Sequence, residues 1–199
     1  MFKKVLAAAA VVAISLSLGA GSVSARSSLF SEMRQDAPRS ESLRNIFPIF
    51  ESRENLLHVK GSVLIHDTTK SEVYDFVSNL DNDTQWYPGT LTSELVSGNG
   101  GPGSVYHETI VFGGTQANIT ATVLAAVPNN SFWFTSDGLL TNLTRYRLQR
   151  RQGGDVEFTL SSVVQVPEGV TQADMENYLT YAFTLLLGAL GKTGEITIQ

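Results

Sequence analysis

Few side chains in this sequence can move a proton near neutral pH, and they set the chemistry open to it. There is no cysteine, which removes thiol catalysis, Cys-ligated zinc and iron–sulfur clusters. The three histidines are His58, His66 and His107. His58 and His66 fall on the polar parity of one alternating segment and read as surface residues. His107 sits in a second alternating segment, Ser104–Phe112, which has two possible inward faces. One face is Val105, His107, Thr109 and Val111; the other is Tyr106, Glu108, Ile110 and Phe112. Alternation alone leaves both open. With the first face inward, His107 beside Thr109 is a candidate catalytic acid or base. With the second, it is a surface histidine. Tyr146, Ser162 and Tyr178 are the remaining polar candidates.

Other chemistries lack their residues. No His-Glu-x-x-His or comparable ligand spacing occurs, so no metal and no cofactor is expected. There is no Gly-x-Ser-x-Gly elbow. The run Gly98 to Gly103 followed by Ser104 has the spacing of a phosphate loop but lacks its lysine. Fourteen basic residues against 19 acidic ones give a net charge of −5, which disfavours nucleotides and nucleic acid alike. Arg145, Arg147, Arg150 and Arg151 form a basic cluster. Arg145 and Arg147 share the outward parity, opposite Glu157 on the following segment, and read as cross-strand charge pairs rather than an anion site.

The elements that must carry these groups are legible from periodicity. Val59, Gly61, Val63 and Ile65 alternate with polar residues as a strand. Thr69 and Glu72 make a capping box before Val73, Phe76, Val77 and Leu80 at helix spacing. Asp81-Asn82-Asp83 ends that helix and leads into a second short one at Thr84–Trp86, and Pro88-Gly89 turns the chain. Six strand-like segments follow: Leu91–Val96, Ser104–Phe112, Gln116–Val127, Ser131–Thr135, Thr141–Arg151 and Val156–Val166. Their Gly- and Asn-rich links predict antiparallel hairpins. Thr171 caps a long helix running to about Leu190, and Gly191 ends it. Met175, Tyr178, Leu179, Ala182, Leu185, Leu186 and Ala189 share one face of that helix. Its uncharged stretch Leu179–Leu190 is too short to span a bilayer and reads as a helix gripped by a sheet. The fold class is therefore α+β: a curved antiparallel sheet of about seven strands wrapped around the C-terminal helix, with two short helices after the first strand.

The N-terminus reads as a leader. Lys3 and Lys4 precede the uncharged run Val5–Ala20, and Val23-Ser24-Ala25 offers a cleavage site. The run falls short of the ~20 residues of a membrane span. Residues 1–25 are thus expected to be a signal peptide cleaved after Ala25, the protein secreted or periplasmic, and no stable membrane insertion is expected. Residues 26–57 read as a polar arm, extended or a short helix, with one apolar cluster at Ile46, Phe47, Ile49 and Phe50 through which it could dock. The polarity of this arm argues against a core of its own. Residues 58–199 form the folded domain. Asn82, Asn118, Asn129 and Asn142 each begin an Asn-x-Ser/Thr triplet, either glycan acceptors or chance.

The segment Val63-Leu64-Ile65-His66-Asp67 through Trp86-Tyr87-Pro88, the final Leu190-Gly191-Lys192 and this order of elements resemble the START-like helix-grip superfamily. That group includes polyketide cyclase/dehydrase-like proteins, lipid-transfer domains and the birch-pollen-allergen family. The resemblance runs from about His58 to Ile198. Its best single point is the glycine loop Gly98-Asn99-Gly100-Gly101-Pro102-Gly103 between the second and third strands. It implies a hydrophobic cavity between sheet and helix that holds a sterol, lipid, polyketide or similar molecule.

Residue size supports the same cavity. Ala117, Ile119, Ala121, Val123 and Ala125 share one face of Gln116–Val127, and three alanines leave volume to be filled. Either a ligand or facing aromatic residues must fill it. The expected lining is Ile119, Ala121, Val123, Phe132, Phe134 and Tyr146, continued by Leu148, Phe158, Leu160, Tyr178, Ala182 and Leu186. Three functions follow. The first is a secreted carrier or sensor of an apolar small molecule. The second is a cyclase, dehydratase or isomerase using His107, Tyr146 and Tyr178, against which secretion speaks. The third is a non-catalytic protein that binds a macromolecule through the arm.

Overall fold

The alternating segment that opens at Leu56 becomes one strand of an eight-stranded sheet in the computed structural model, which describes residues 23–51 and 56–199. The strands are β1 (Leu56–Ile65), β2 (Thr90–Ser97), β3 (Val105–Phe112), β4 (Thr115–Val127), β5 (Ser131–Asp137), β6 (Thr141–Arg150), β7 (Val156–Gln165) and β8 (Gly194–Ile198). They stand in the order β2-β3-β4-β5-β6-β7-β1-β8, all neighbours antiparallel. The expected meander is β2 to β7. The added strand, β8, pairs with the other edge of β1 from Gly61↔Ile198 to Ile65↔Gly194. It is five residues long, and without that neighbour its alternation carries little signal.

Helices α3 (Lys70–Val77) and α4 (Asp83–Trp86), joined by a 3-10 turn at Leu80–Asn82, lie between β1 and β2, and α5 (Gln172–Leu190) follows β7. Thr69 caps α3 by accepting from Glu72 N, while the Glu72 carboxylate takes the Thr68 hydroxyl at 2.8 Å, so only half of the expected box closes. Thr171 and Asp174 form a full capping box on α5, and Gly191 ends it at φ 64°. Gly61 lets α5 seat against β1: a Cβ there would lie 2.9 Å from Leu179 Cδ2 and 3.0 Å from Phe183 Cε2.

The sheet has two apolar faces, hence two cores. Phe183 of α5 joins Val63, Ile65, Trp86, Tyr106, Tyr146 and Phe158 in the core between sheet and helix. On the opposite face the N-terminal segment forms α1 (Val23–Asp36) and α2 (Glu41–Glu51). Leu29 and Met33 of α1, with Leu43, Phe47 and Phe50 of α2, pack on Leu124, Ala125, Trp133, Leu143 and Val163. The polar arm is thus two helices docked on the sheet. The four- and seven-residue spacings of these few apolar residues give each helix one narrow sticky stripe, enough when a sheet face is there to receive it. The cluster Phe47–Phe50 is spent inside the molecule, and only Ile49 of it is exposed. The expected leader lies outside the described residues except Val23–Ala25, the first turn of α1.

Arg145, 1% exposed, is the keystone of the outer core. Its guanidinium donates to Asp36 at 2.8 Å and Glu32 at 3.0 Å, and lies 5.6 Å over the Trp133 ring. Lys60 also pairs with Glu32, at 2.9 Å, and Arg147 with Asp36, at 3.3 Å. Burial raises the Glu32 pKa, but Lys60 and Arg145 outweigh it and hold the carboxyl below its usual range. The arginines are therefore paired within the protein, yet Glu157 takes Arg151 rather than Arg145 or Arg147. Register explains it: Glu157 stands opposite Gln149, two places beyond Arg147.

Candidate functional site

Packing settles which face of β3 turns inward. Tyr106, Glu108 and Ile110 are buried, whereas His107 is exposed between Glu94 and Thr120 of the flanking strands. The face with Tyr106, Ile110 and Phe112 has more apolar area to remove from water, and Glu108 is carried in with it. His107 therefore faces away from the space between sheet and helix, and Thr109 goes with it.

The alanine wall is only partly inward. A β-bulge between Val123 and Ala125 places Leu124 and Ala125 together in the outer core. Ile119, Ala121 and Val123 remain in the inner core. Aromatic rings fill most of the volume facing them. Tyr146 lies 5.3 Å from Phe134, 5.3 Å from Phe158, 6.2 Å from Phe132 and 5.8 Å from Trp86. Phe183 of α5 adds to the same plug, 6.0 Å from Phe158. The expected broad cavity is thus closed at this end, and Phe132, Tyr146 and Phe158 act as packing. Leu148, Ala182 and Leu186 are fully buried in the same core.

A hollow survives at the other end of the interface. It opens to solvent on one side and has a volume of about 40 Å³. Of the expected lining residues it takes Ile119, Phe134, Leu160 and Tyr178, plus Ser162 from the polar candidates. Val59, Ile110, Leu140, Val164, Met175 and Leu179 complete its apolar wall. Asn142 also lines it, while Asn129 sits exposed in a hairpin turn at φ 59°.

Two carboxyls missing from the sequence-based list enter this hollow: Asp83, 3% exposed, at the start of α4, and Glu108, 7% exposed, from β3. Glu108 accepts from the Ser93 hydroxyl at 3.2 Å. Asp83 Oδ1 has no hydrogen-bond partner, and neither has the buried Tyr146 hydroxyl. Burial, then the neighbouring Glu108 charge, pushes the Asp83 pKa well above the usual carboxylate range. Burial pushes Glu108 up to about 7. Burial also raises the phenols of Tyr87, Tyr146 and Tyr178. The Tyr178 hydroxyl donates to Pro88 O at 2.6 Å, and its ring meets Tyr87 and Phe112, each at 5.7 Å. The available signal for Asp83 and Glu108 was their place beside large apolar residues: Trp86 three positions after Asp83, Tyr106 and Ile110 around Glu108.

The glycine loop lies between β2 and β3, as the resemblance implied, and its polar groups serve the loop itself. Gly98 has φ 93°, and a Cβ there would lie 2.3 Å from Ser104 Oγ. That hydroxyl accepts from Asn99 N at 3.1 Å, and Gly103 N donates to Val123 O at 2.8 Å. Gly100 and Gly101 complete the turn, Gly101 N donating to the Asn99 side chain.

A sheet curled on a long C-terminal helix, with a hollow between them, is also what the sequence matches. Residues 57–195 match the family described as polyketide cyclase / dehydrase and lipid transport. The chain belongs to that family. No curated protein matches it. Among solved structures it is similar to a START superfamily protein from Mycobacterium smegmatis, 14% identical at a TM-score of 0.54 over 67% of this chain and 94% of that one. Ara h 8.0201 is 16% identical at a TM-score of 0.52 over 68% of this chain and 98% of its own. The di-domain ARO/CYC StfQ from the steffimycin biosynthetic pathway is 11% identical at 0.53, over 70% of this chain and 51% of its own. These likenesses show the helix-grip fold. The N-terminal helices precede the matched residues, so the outer core is built around the family's fold rather than by it. Among the described residues no helix is long and apolar enough to cross a membrane.

Proposed function

We propose that this family member is an exported binding protein for an apolar small molecule, held in the hollow between sheet and α5 after the leader is removed behind Ala25. The observation that carries this is a hollow walled by hydrocarbon, open to solvent on one side, with a few polar groups converging on it. That is the composition of small-molecule sites. The family description and the START superfamily neighbour support the ligand class. The enclosed volume admits only a small group, since a water claims ~30 Å³. A larger guest enters by moving Met175, Tyr178 and Leu179, which close the recess from α5.

Protein purified from its host, denatured and extracted, is expected to release a bound apolar molecule by mass spectrometry, and its mass to begin at Arg26. Recovery of none, together with no binding of a fluorescent fatty acid or sterol, overturns the binding reading. A mass beginning at Met1 overturns export. A second reading, a cyclase, dehydratase or isomerase on a polyketide-like substrate, draws on Asp83 and Glu108. Two buried carboxyls of raised pKa suit proton transfer. In that reading His107→Ala leaves turnover unchanged.

A further inference from the structure

We infer that the hollow selects guests that join an apolar body to a protonated amine, with Asp83 and Glu108 holding the amine nitrogen. This rests on the proposed binding function of the same hollow and adds the chemical class of the guest.

Two buried acids face this hollow with no cation beside them. Asp83 and Glu108 line the hollow from two different elements, α4 and β3, and each is more than nine-tenths buried. No Lys, Arg or His lines it. The titratable groups that act on the pair are Asp81 from the 3-10 turn, Tyr87 after α4, Tyr106 from β3, Tyr146 from β6 and Tyr178 from α5. Every one is an acid, so none can supply positive charge. Elsewhere in this protein a buried charge is answered: Arg145 meets two carboxylates. Here Asp83 Oδ1 has no hydrogen-bond partner, and the Trp86 indole N–H that bears on this carboxyl is neutral. Leaving such groups unpaired in a buried site is costly, and a guest that pairs them is bound by that difference.

The geometry also selects among guests. An ammonium group has three donors and no acceptor, which suits two carboxyls. A hydroxyl can hydrogen-bond to the protonated carboxyls but cannot stabilise their ionised form. A carboxylate would be repelled. Val59, Ile119, Leu160, Val164, Met175 and Leu179 give the body of the guest a hydrocarbon wall. The proton balance is explicit. The guest arrives as its ammonium ion, ion pairing favours the ionised form of both carboxyls, and the proton they held leaves to solvent.

Calorimetric titration of the full processed chain near neutral pH tests this, in two buffers of different ionisation enthalpy. Benzylamine and dodecylamine are compared with benzyl alcohol and dodecanol. Each amine is expected to bind at least about tenfold tighter than its alcohol, with proton release that the alcohols do not show. Glu108→Gln and Asp83→Asn are each expected to abolish the preference for amine. Proton release in the unsubstituted protein gives a reading that requires no variant to fold. Equal binding of amines and alcohols without proton release overturns the amine inference and leaves the binding function standing. An amine preference that survives both substitutions also overturns it. Failure of all four probes, along with the fluorescent lipid probes, removes both.

Discussion

The two faces of one sheet treat buried charge in opposite ways. On the outer face, Arg145 is enclosed by Glu32, Asp36, Ser161 and the Trp133 ring, and its charge is answered by two carboxylates although Nε has no partner. On the inner face, Asp83 and Glu108 are enclosed by apolar walls and tyrosines, with no cation among the residues that line the hollow. Both burials cost desolvation. The outer one is offset by ion pairs within the chain and holds two helices in place. The inner one is not offset, and that is the mark of a site whose partner comes from outside. The contrast separates structural charge from functional charge without reference to any relative.

Neighbouring residues on β5 offer the sharpest test, because Trp133 faces the outer core and Phe134 the hollow. Trp133→Ala and Phe134→Ala are each expected to lower stability by about 3–5 kcal/mol, measured by denaturant unfolding. Only Phe134→Ala is expected to increase uptake of an apolar fluorescent probe. Equal uptake by both would mean that the faces are not functionally distinct.

The outer network breaks next. Glu32→Gln with Asp36→Asn leaves Arg145 buried and uncompensated. Since both carboxylates are over a third exposed, the expected cost is ~2–3 kcal/mol, the lower part of the range for breaking a buried pair. Far-ultraviolet circular dichroism and proteolysis of the N-terminal helices would report it. Adding Arg145→Met should recover part of the loss, as the orphaned charge goes.

The inner carboxyls predict a gain of the opposite sign. Folded, Glu108 holds its proton up to about pH 7, against an ordinary value of 4.5. The folded state therefore binds more protons between those values, and stability falls as pH rises through them. Glu108→Gln removes that fall. It is expected to stabilise the protein by roughly 2 kcal/mol above about pH 7 and to have no effect below about pH 4. Thermal unfolding across this range checks it, and a gain that is independent of pH would show that Glu108 is not the titrating group.

The skeleton was legible along the chain. Period-two runs separated by Gly and Asn gave the meander, and Thr171 and Gly191 bounded α5. These are local signals, since hairpin links, caps and alternation need only neighbours along the chain. Whatever depended on a partner element was set by packing. β8 became a strand because β1 had a free edge, and α1 and α2 became a second layer because the sheet had a second apolar face. The bulge after Val123 moved Ala125 to the far side, and facing rings closed much of the space expected for a guest. The same holds for the site: β3 alternates equally well in either sense, and the choice that buried Tyr106 and Ile110 sent His107 to solvent and brought Glu108 to meet Asp83. A residue's type is written in the chain, but the side of a strand it faces is fixed by the total apolar area that folding removes from water.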